Sequence, residues 1–268
     1  LTSIAKEKAG IIKGGIPVIS SSQEKEAENV IIEKSKEIRS PLFFYSKDFY
    51  GKLKSISLDG IAFDFYPFSF EPSKNGCLSD LFLSLTGLHQ IENASVALKA
   101  FMTVYPSYDE IILREALKKI KMPGRLEIIS KEPLVILDIA HNPQAVNALI
   151  KSIQIITKKK PVVVFGVMKD KDLRGILSAF ENYAEKIIFT SPKYERALTY
   201  EELLTRVDRV SKKIQSCPDS LLAFKEGLAI CEKDPNLFLL CTGSSYLVGE
   251  IKEALGEKSY LRNLGELI

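Results

Sequence analysis

The chain owns two histidines, His89 and His141, and the second lies where an imidazole is useful. Val135 to Ile139 is a short apolar, β-branched run that carries Asp138 near its end, and Ala140-His141-Asn142-Pro143 follows. Asn142 suits an N-cap. Pro143 suits the first helical position, where its missing N–H costs nothing. The pattern is a strand ending on a carboxylate, a tight turn with an imidazole, and a helix N-terminus aimed at the same spot. Strand ends of open α/β sheets hold ligands, and helix N-termini favour anions. An Asp there can accept ribose hydroxyls, and a His can hold phosphate oxygens. The stretch therefore reads as a nucleotide site. Its plain alternative is a surface turn with a solvated histidine, and the same alternative holds for His89 in Gly87-Leu88-His89-Gln90-Ile91-Glu92-Asn93-Ala94.

Other candidates carry two readings each. Arg125 follows Pro123-Gly124. It can pair with Glu127, or its fork of donors can reach a phosphate across an interdomain cleft. Gly166-Val167-Met168-Lys169-Asp170-Lys171-Asp172 is a charged loop capped by Asp172, or a strand-end loop whose Lys171 neutralises an anionic substrate group. In Thr242-Gly243-Ser244-Ser245 the glycine permits close backbone approach, and the hydroxyls either bind a carboxylate or cap a helix. Lys8, within Lys6-Glu7-Lys8-Ala9-Gly10, reads by default as a solvent-facing lysine.

The elements that position these residues follow from periodicity and caps. Thr2 is a plausible N-cap for a helix over Ser3–Ala9, ended by Gly10. A strand over Ile16–Ile19, an amphipathic helix over Ser22–Arg39 and a strand over Leu42–Tyr45 come next. Phe49–Leu85 alternates, with turn signals at Asp59-Gly60 and Asn75-Gly76, and predicts a small antiparallel set. Helices are expected over His89–Val104 and Asp109–Ile120. Met122-Pro123-Gly124 breaks the pattern and is taken as the domain boundary. Beyond it, strands at Val135–Ile139, Val162–Phe165, Ile187–Phe189 and Leu237–Leu240 alternate with helices beginning at Pro143, Asp172, Tyr200, Ser220 and Ser245. Thr199 with Glu202 forms a capping box, and Asp219 is a further cap. The alternation predicts an α/β fold in which residues 125–268 form a doubly wound, mostly parallel, Rossmann-like sheet.

Composition bounds the rest. The 268 residues are 46% hydrophobic and 26% charged, which is ordinary for a globular protein of two modest domains. A net charge of +3 argues against a nucleic-acid binder, and no basic stripe interleaves with aromatics. Lys158-Lys159-Lys160 reads as a solvated helix end. Cys77, Cys217, Cys231 and Cys241 have no metal-like spacing, which fits a reduced, cytoplasmic setting. No apolar run reaches membrane-spanning length, so no membrane partner is expected.

Taken in order, seven stretches resemble the folylpolyglutamate synthase/dihydrofolate synthase family of Mur-type ATP-dependent ligases. They are Ile4–Lys13, Gly87–Ala94, Pro123–Glu127, Leu137–Pro143, Phe165–Asp172, Arg196-Ala197-Leu198 and Thr242–Glu250. The resemblance implies that ATP phosphorylates a carboxylate of dihydropteroate or a folate, and that the amine of L-glutamate attacks the acyl phosphate. Clustered anions in such a reaction need cations, and two substrates need positioning. By resemblance Asn93 contacts adenine, Arg125 phosphate and Asp138 ribose, with His141 close enough to touch phosphate. Lys171 and Ser244 fall to the glutamate side. Lys8 aligns with a lysine that is carbamylated and then ligates Mg²⁺ through oxygen.

The chain also departs from the family. Nothing matches GxxxxGK followed by Ser or Thr. The resemblance puts that P-loop, and further acidic and histidine Mg²⁺ ligands, ahead of Leu1. Residues 1–124 are accordingly expected to be the incomplete tail of an ATP-binding domain, and this polypeptide alone to lack ligase activity. A monomer is expected. Two rivals stand beside this reading: another Mur-type ligase acting on a related acid, and a nucleotide-binding module with no chemistry of its own.

Overall fold

The computed structural model describes residues 1–68, 76–207 and 212–256, and these fall into two compact units divided between Lys121 and Met122. Asn75, half of one expected turn signal, lies outside the described residues.

The first unit opens with α1 (Thr2–Ala9), which buries Ala5 and Ala9 against Val30. Thr2 is not its N-cap as expected. Leu1 holds that position without a side-chain bond, and Thr2 is already helical. β1 (Val18–Ser20), α2 (Lys25–Glu37) and β2 (Leu42–Phe44) make a βαβ unit with a parallel two-stranded ladder. β3 (Tyr50–Ser57), β4 (Gly60–Tyr66) and β5 (Leu78–Leu83) form an antiparallel sheet in the order β3-β4-β5. The Asp59-Gly60 signal is realised as the β3–β4 turn. Gly60 has φ 146°, and a Cβ there would sit 2.2 Å from the Leu83 carbonyl oxygen. Ile61, Phe63, Phe65, Leu81 and Leu83 pack against α3 (His89–Val104) and α4 (Glu110–Lys119) through Ile91, Ala94, Leu98 and Leu117. Asp109 caps α4 by accepting from the amides of Ile111 and Ile112.

The second unit is a six-stranded sheet. Its strands are β6 (Glu127–Lys131), β7 (Leu134–Leu137), β8 (Lys160–Phe165), β9 (Lys186–Phe189), β10 (Ile214–Ser216) and β11 (Leu237–Thr242), in the spatial order β10-β9-β8-β11-β7-β6. All neighbours are parallel except β6 and β7. The helices are α5 (Pro143–Ile156), α6 (Leu173–Glu181), α7 (Tyr200–Arg206), α8 (Ser220–Lys233) and α9 (Ser245–Ala254). Side-chain alternation sends Val135, Leu137, Val162, Val164, Leu239 and Cys241 to one face, under α8 and α9. The intervening residues face the other way, where the Phe165 ring meets Phe180 of α6 edge-on at 5.9 Å. Burial on both faces explains the continuous apolar runs of β7, β8 and β11.

Chain order explains the site. The connections run β7 to β8 to β9 to β10 in one direction, and α8 then returns the chain so that β11 enters between β8 and β7. The loops leaving β7, β8 and β11 thus emerge side by side at a topological switch point. Two details depart from expectation. α5 ends at Ile156, so Lys160 opens β8 rather than closing a helix. β6 and β10, the two edge strands, were not anticipated.

Candidate functional site

The site begins with the end of β7. Asp138 follows Leu137 and its own N–H donates to the Cys241 carbonyl of β11 at 3.0 Å, which extends the ladder by one residue. Only 6% of Asp138 is exposed. Its Oδ1 accepts from the Ala140 amide at 2.7 Å and its Oδ2 from the Leu126 amide at 2.8 Å. Burial pushes its carboxyl above the usual range, against the pull of those two amides and of Arg125 and His141. The carboxylate therefore organises two backbone segments and presents little of itself to solvent.

His141 stands in the next turn, half-exposed. Its Nδ1 lies 2.9 Å from the Ile139 carbonyl, which can only accept, so Nδ1 carries a proton and Nε2 is left for other partners. Asn142 caps α5 through a 2.8 Å bond from the Ala145 amide, and Pro143 takes the first helical position as its ring requires. The Gln144 amide, also in that first turn, has no acceptor among the described residues. An N–H and a helix dipole thus face the space beyond β7.

Arg125 belongs to the same neighbourhood, because the Leu126 amide is held by Asp138 and the Ile139 amide donates to the Gly124 carbonyl at 2.9 Å. Arg125 is exposed and makes no side-chain hydrogen bond or ion pair among the described residues. The alternative reading, a bridge to Glu127, is not what forms. Glu127 accepts instead from the Gly124 amide at 2.7 Å and from Lys252 of α9.

The loops after β8 and β9 are zipped together. The Lys169 amide donates to the Arg196 carbonyl at 2.9 Å and the Leu198 amide to the Val167 carbonyl at 2.8 Å. Asp170 then accepts from Lys171 at 2.8 Å and from Arg196 at 3.1 Å. The Lys171 hydrogen bond is the main reason that the Asp170 carboxyl falls to about 2. Asp172 caps α6, as expected. Gly166 and Thr242 tie β8 to β11 through a 3.2 Å bond, and the Thr242 hydroxyl donates to the Ala140 carbonyl. Ser244 is 4% exposed and its Oγ accepts from the Leu247 amide, so it serves as the α9 cap rather than as an open hydroxyl. Tyr194 stacks on Tyr246 with ring centroids 3.9 Å apart, joining the β9 loop to α9.

The second unit therefore gathers Arg125, Asp138 and His141 around the end of β7, with Lys171 and Ser244 on the loops leaving neighbouring strands. Asn93 and Lys8 belong to the first unit. Asn93 is exposed on α3 and donates to Gln90 Oε1 at 3.1 Å, which engages one amide hydrogen and leaves its Oδ1 without a hydrogen bond among the described residues. Lys8 is 78% exposed on α1, beside Glu7. Among the described residues no three His, Cys, Asp or Glu side chains gather where a metal ion could be held. The organising roles of Glu127, Asp170 and Lys252 were not read from the sequence. Only Glu127 carried a signal, as the nearest carboxylate to Arg125.

Residues 124–245 match the family model described as Mur ligase, glutamate ligase domain. The chain is 30% identical over 260 residues to the dihydrofolate synthase/folylpolyglutamate synthase of Bacillus subtilis, covering 95% of this chain and 58% of that one. It is 30% identical over 270 residues to the folylpolyglutamate synthase of Lacticaseibacillus casei, covering 97% and 59%. The crystal structure of folylpolyglutamate synthase from Thermotoga maritima superposes with a TM-score of 0.78 at 30% identity, covering 96% of this chain and 58% of that one. The Mycobacterium tuberculosis folylpolyglutamate synthase complexed with ADP superposes at 0.85 and 25% identity, covering 96% and 60%. The chain thus spans about three fifths of the length of the relatives it matches. On sequence and fold together, residues 124–245 carry a Mur ligase, glutamate ligase domain, and the chain as a whole is similar to folylpolyglutamate synthases and dihydrofolate synthases.

Proposed function

We propose that this chain serves an ATP-dependent amide ligase that adds L-glutamate to a folate, to dihydropteroate, or to both. The observation that carries the reading is Arg125: an exposed guanidinium with no acceptor of its own among the described residues, on a turn tied through Asp138 and Ile139 to the segment that leads into His141 and α5. Cations and helix N-termini of this kind stabilise transferring phosphoryl groups.

In the reaction, a carboxylate oxygen of the acceptor attacks the γ-phosphorus of ATP and ADP departs. The glutamate amine then attacks the acyl carbon, phosphate leaves, and the amine loses a proton to a base. Arg125 and the α5 N-terminus hold phosphate oxygens. His141 offers Nε2 to the same group. Asn93 reads the adenine edge with its amide, and Asp138 acts chiefly by ordering the backbone that carries Arg125 and His141, with ribose contact as its further role. Lys171 faces a glutamate carboxylate, while Ser244 aims the first turn of α9. Lys8, if carbamylated, would offer an oxygen to Mg²⁺. A monomeric, cytoplasmic enzyme fits these assignments, and no helix of the described residues is long and apolar enough to cross a membrane.

The test is ATP- and glutamate-dependent phosphate release by the complete gene product, with dihydropteroate or tetrahydrofolate as acceptor. Turnover with either supports the reading, and turnover with both makes the enzyme bifunctional. No turnover with either acceptor, in a folded gene product that binds ATP, sinks it in favour of a ligase for another acid or a binding module.

A further inference from the structure

Two carboxylates neighbour Arg125, Glu127 two residues on and Asp138 at the end of β7, whose charge Arg125 feels, yet Arg125 pairs with neither. Both are already engaged. Asp138 spends one oxygen on the Leu126 amide and the other on the Ala140 amide. Glu127 spends Oε2 on the Gly124 amide at 2.7 Å and Oε1 on Lys252 Nζ at 2.5 Å. The residues flanking Arg125 are both left-handed, Gly124 at φ 68° and Leu126 at φ 47°. Leu126 is 1% exposed, so its side chain anchors that unusual backbone. Arg125 itself stays exposed, while both carboxylates are spent on these partners.

Of these four engagements, three use backbone amides that come with the fold. The fourth is a side chain from a distant segment. Lys252 lies on α9, with 10% of its side chain exposed, one residue after core residue Ile251. Long cationic side chains seldom sit this deep without a partner. We propose that Lys252 is a positioning residue: by holding Glu127 Oε1, it keeps that carboxylate off Arg125 and leaves the guanidinium open to an anion. Without Lys252 the free oxygen of Glu127 has one strong donor close in the chain, the planar fork two residues before it. An Arg125 already bonded to Glu127 must break that contact before it can take a phosphate.

The inference rests on the reading that Arg125 takes a nucleotide phosphate, and its test separates the two. Affinity for a fluorescent ADP analogue is measured on the complete gene product. Arg125→Ala weakens it. Lys252→Met also weakens it, by about ten-fold, the equivalent of one charge-assisted hydrogen bond. Lys252→Arg, which keeps the pair, retains it. The decisive variant is Lys252→Met with Glu127→Gln: the neutral amide no longer competes for Arg125, and affinity returns to near the wild-type value. A merely structural Lys252 predicts that the double variant binds as weakly as the single one, or more weakly. Should Lys252→Met fail to fold, Lys252→Gln keeps a donor without the charge and carries the same comparison. If Arg125→Ala leaves affinity unchanged, the underlying reading falls. If Arg125→Ala weakens binding but Lys252→Met does not, or the double variant stays weak, this proposal alone is overturned.

Discussion

Asp138 and Asp170 are two carboxylates at neighbouring strand ends with opposite electrostatics. Burial raises the first, while the Lys171 hydrogen bond brings the second to about 2. The signs for stability differ accordingly. Between the usual 3.8 and its raised native value, Asp138 binds more protons folded than unfolded, so its contribution falls as pH rises through that window. Asp170 stabilises above 3.8, and the contribution is lost as pH falls toward about 2. Its exposure keeps that contribution small. A carboxyl-carbon NMR titration should therefore show the Asp138 midpoint above 3.8 and the Asp170 midpoint near 2, and the reverse order would overturn both accounts of these sites. The residue types at the end of β7 were legible because chemistry needs few kinds of side chain there. Their wiring was not. A sequence shows that Glu127 stands two residues from Arg125, but whether they pair depends on Lys252, 125 positions away.

At the scale of elements, caps were the most readable signals, because a cap is a bond between residues two or three apart. Asn142, Asp172, Thr199 with Glu202, and Asp219 all cap where their spacing implies. Thr2 fails because an N-cap residue must itself be non-helical, and Thr2 is already inside α1. The edge strands were silent for another reason. β6 shows half-buried residues and a register shift between Ile128 and Ser130, and β10 is three residues long, so neither prints a clean alternation. The Thr242–Ser245 stretch shows how an element's end can be fixed by one glycine. Gly243 has φ 114°, and a Cβ would lie 2.5 Å from the Gly166 carbonyl oxygen and 2.8 Å from the Phe165 ring. Those neighbours are backbone and a packed core ring, which cannot yield easily. Gly243→Ala should therefore destabilise the second unit by about 3 kcal/mol, from backbone strain and overpacking together. Chemical denaturation measures this, and a change within ~0.5 kcal/mol would show that the turn can relax.

Among the described residues, each unit has a main hydrophobic core of its own, with no residue in common. One lies under the three-stranded sheet and includes Phe63, Phe65 and Leu81. The other lies on the parallel sheet and includes Val164, Ile188 and Leu239. The parallel sheet was the more legible because its strands are buried on both faces and alternate with helices of similar length, a pattern with few solutions. The first unit mixes a short parallel pair with an antiparallel sheet, and no single period describes it. Cooperativity follows packing, so each core should define its own unfolding unit. Calorimetry is then expected to give a van 't Hoff enthalpy below the calorimetric one, with two components. Phe63→Ala should weaken the first component by roughly 3–5 kcal/mol, and Ile188→Ala the second by roughly 2–5 kcal/mol, each leaving the other midpoint nearly in place. Both side chains are fully buried, so the cavities they leave are genuine. A single transition in which either substitution shifts the entire curve would mean that the cores are energetically one, and that the division of the chain at Lys121 and Met122 is geometric only.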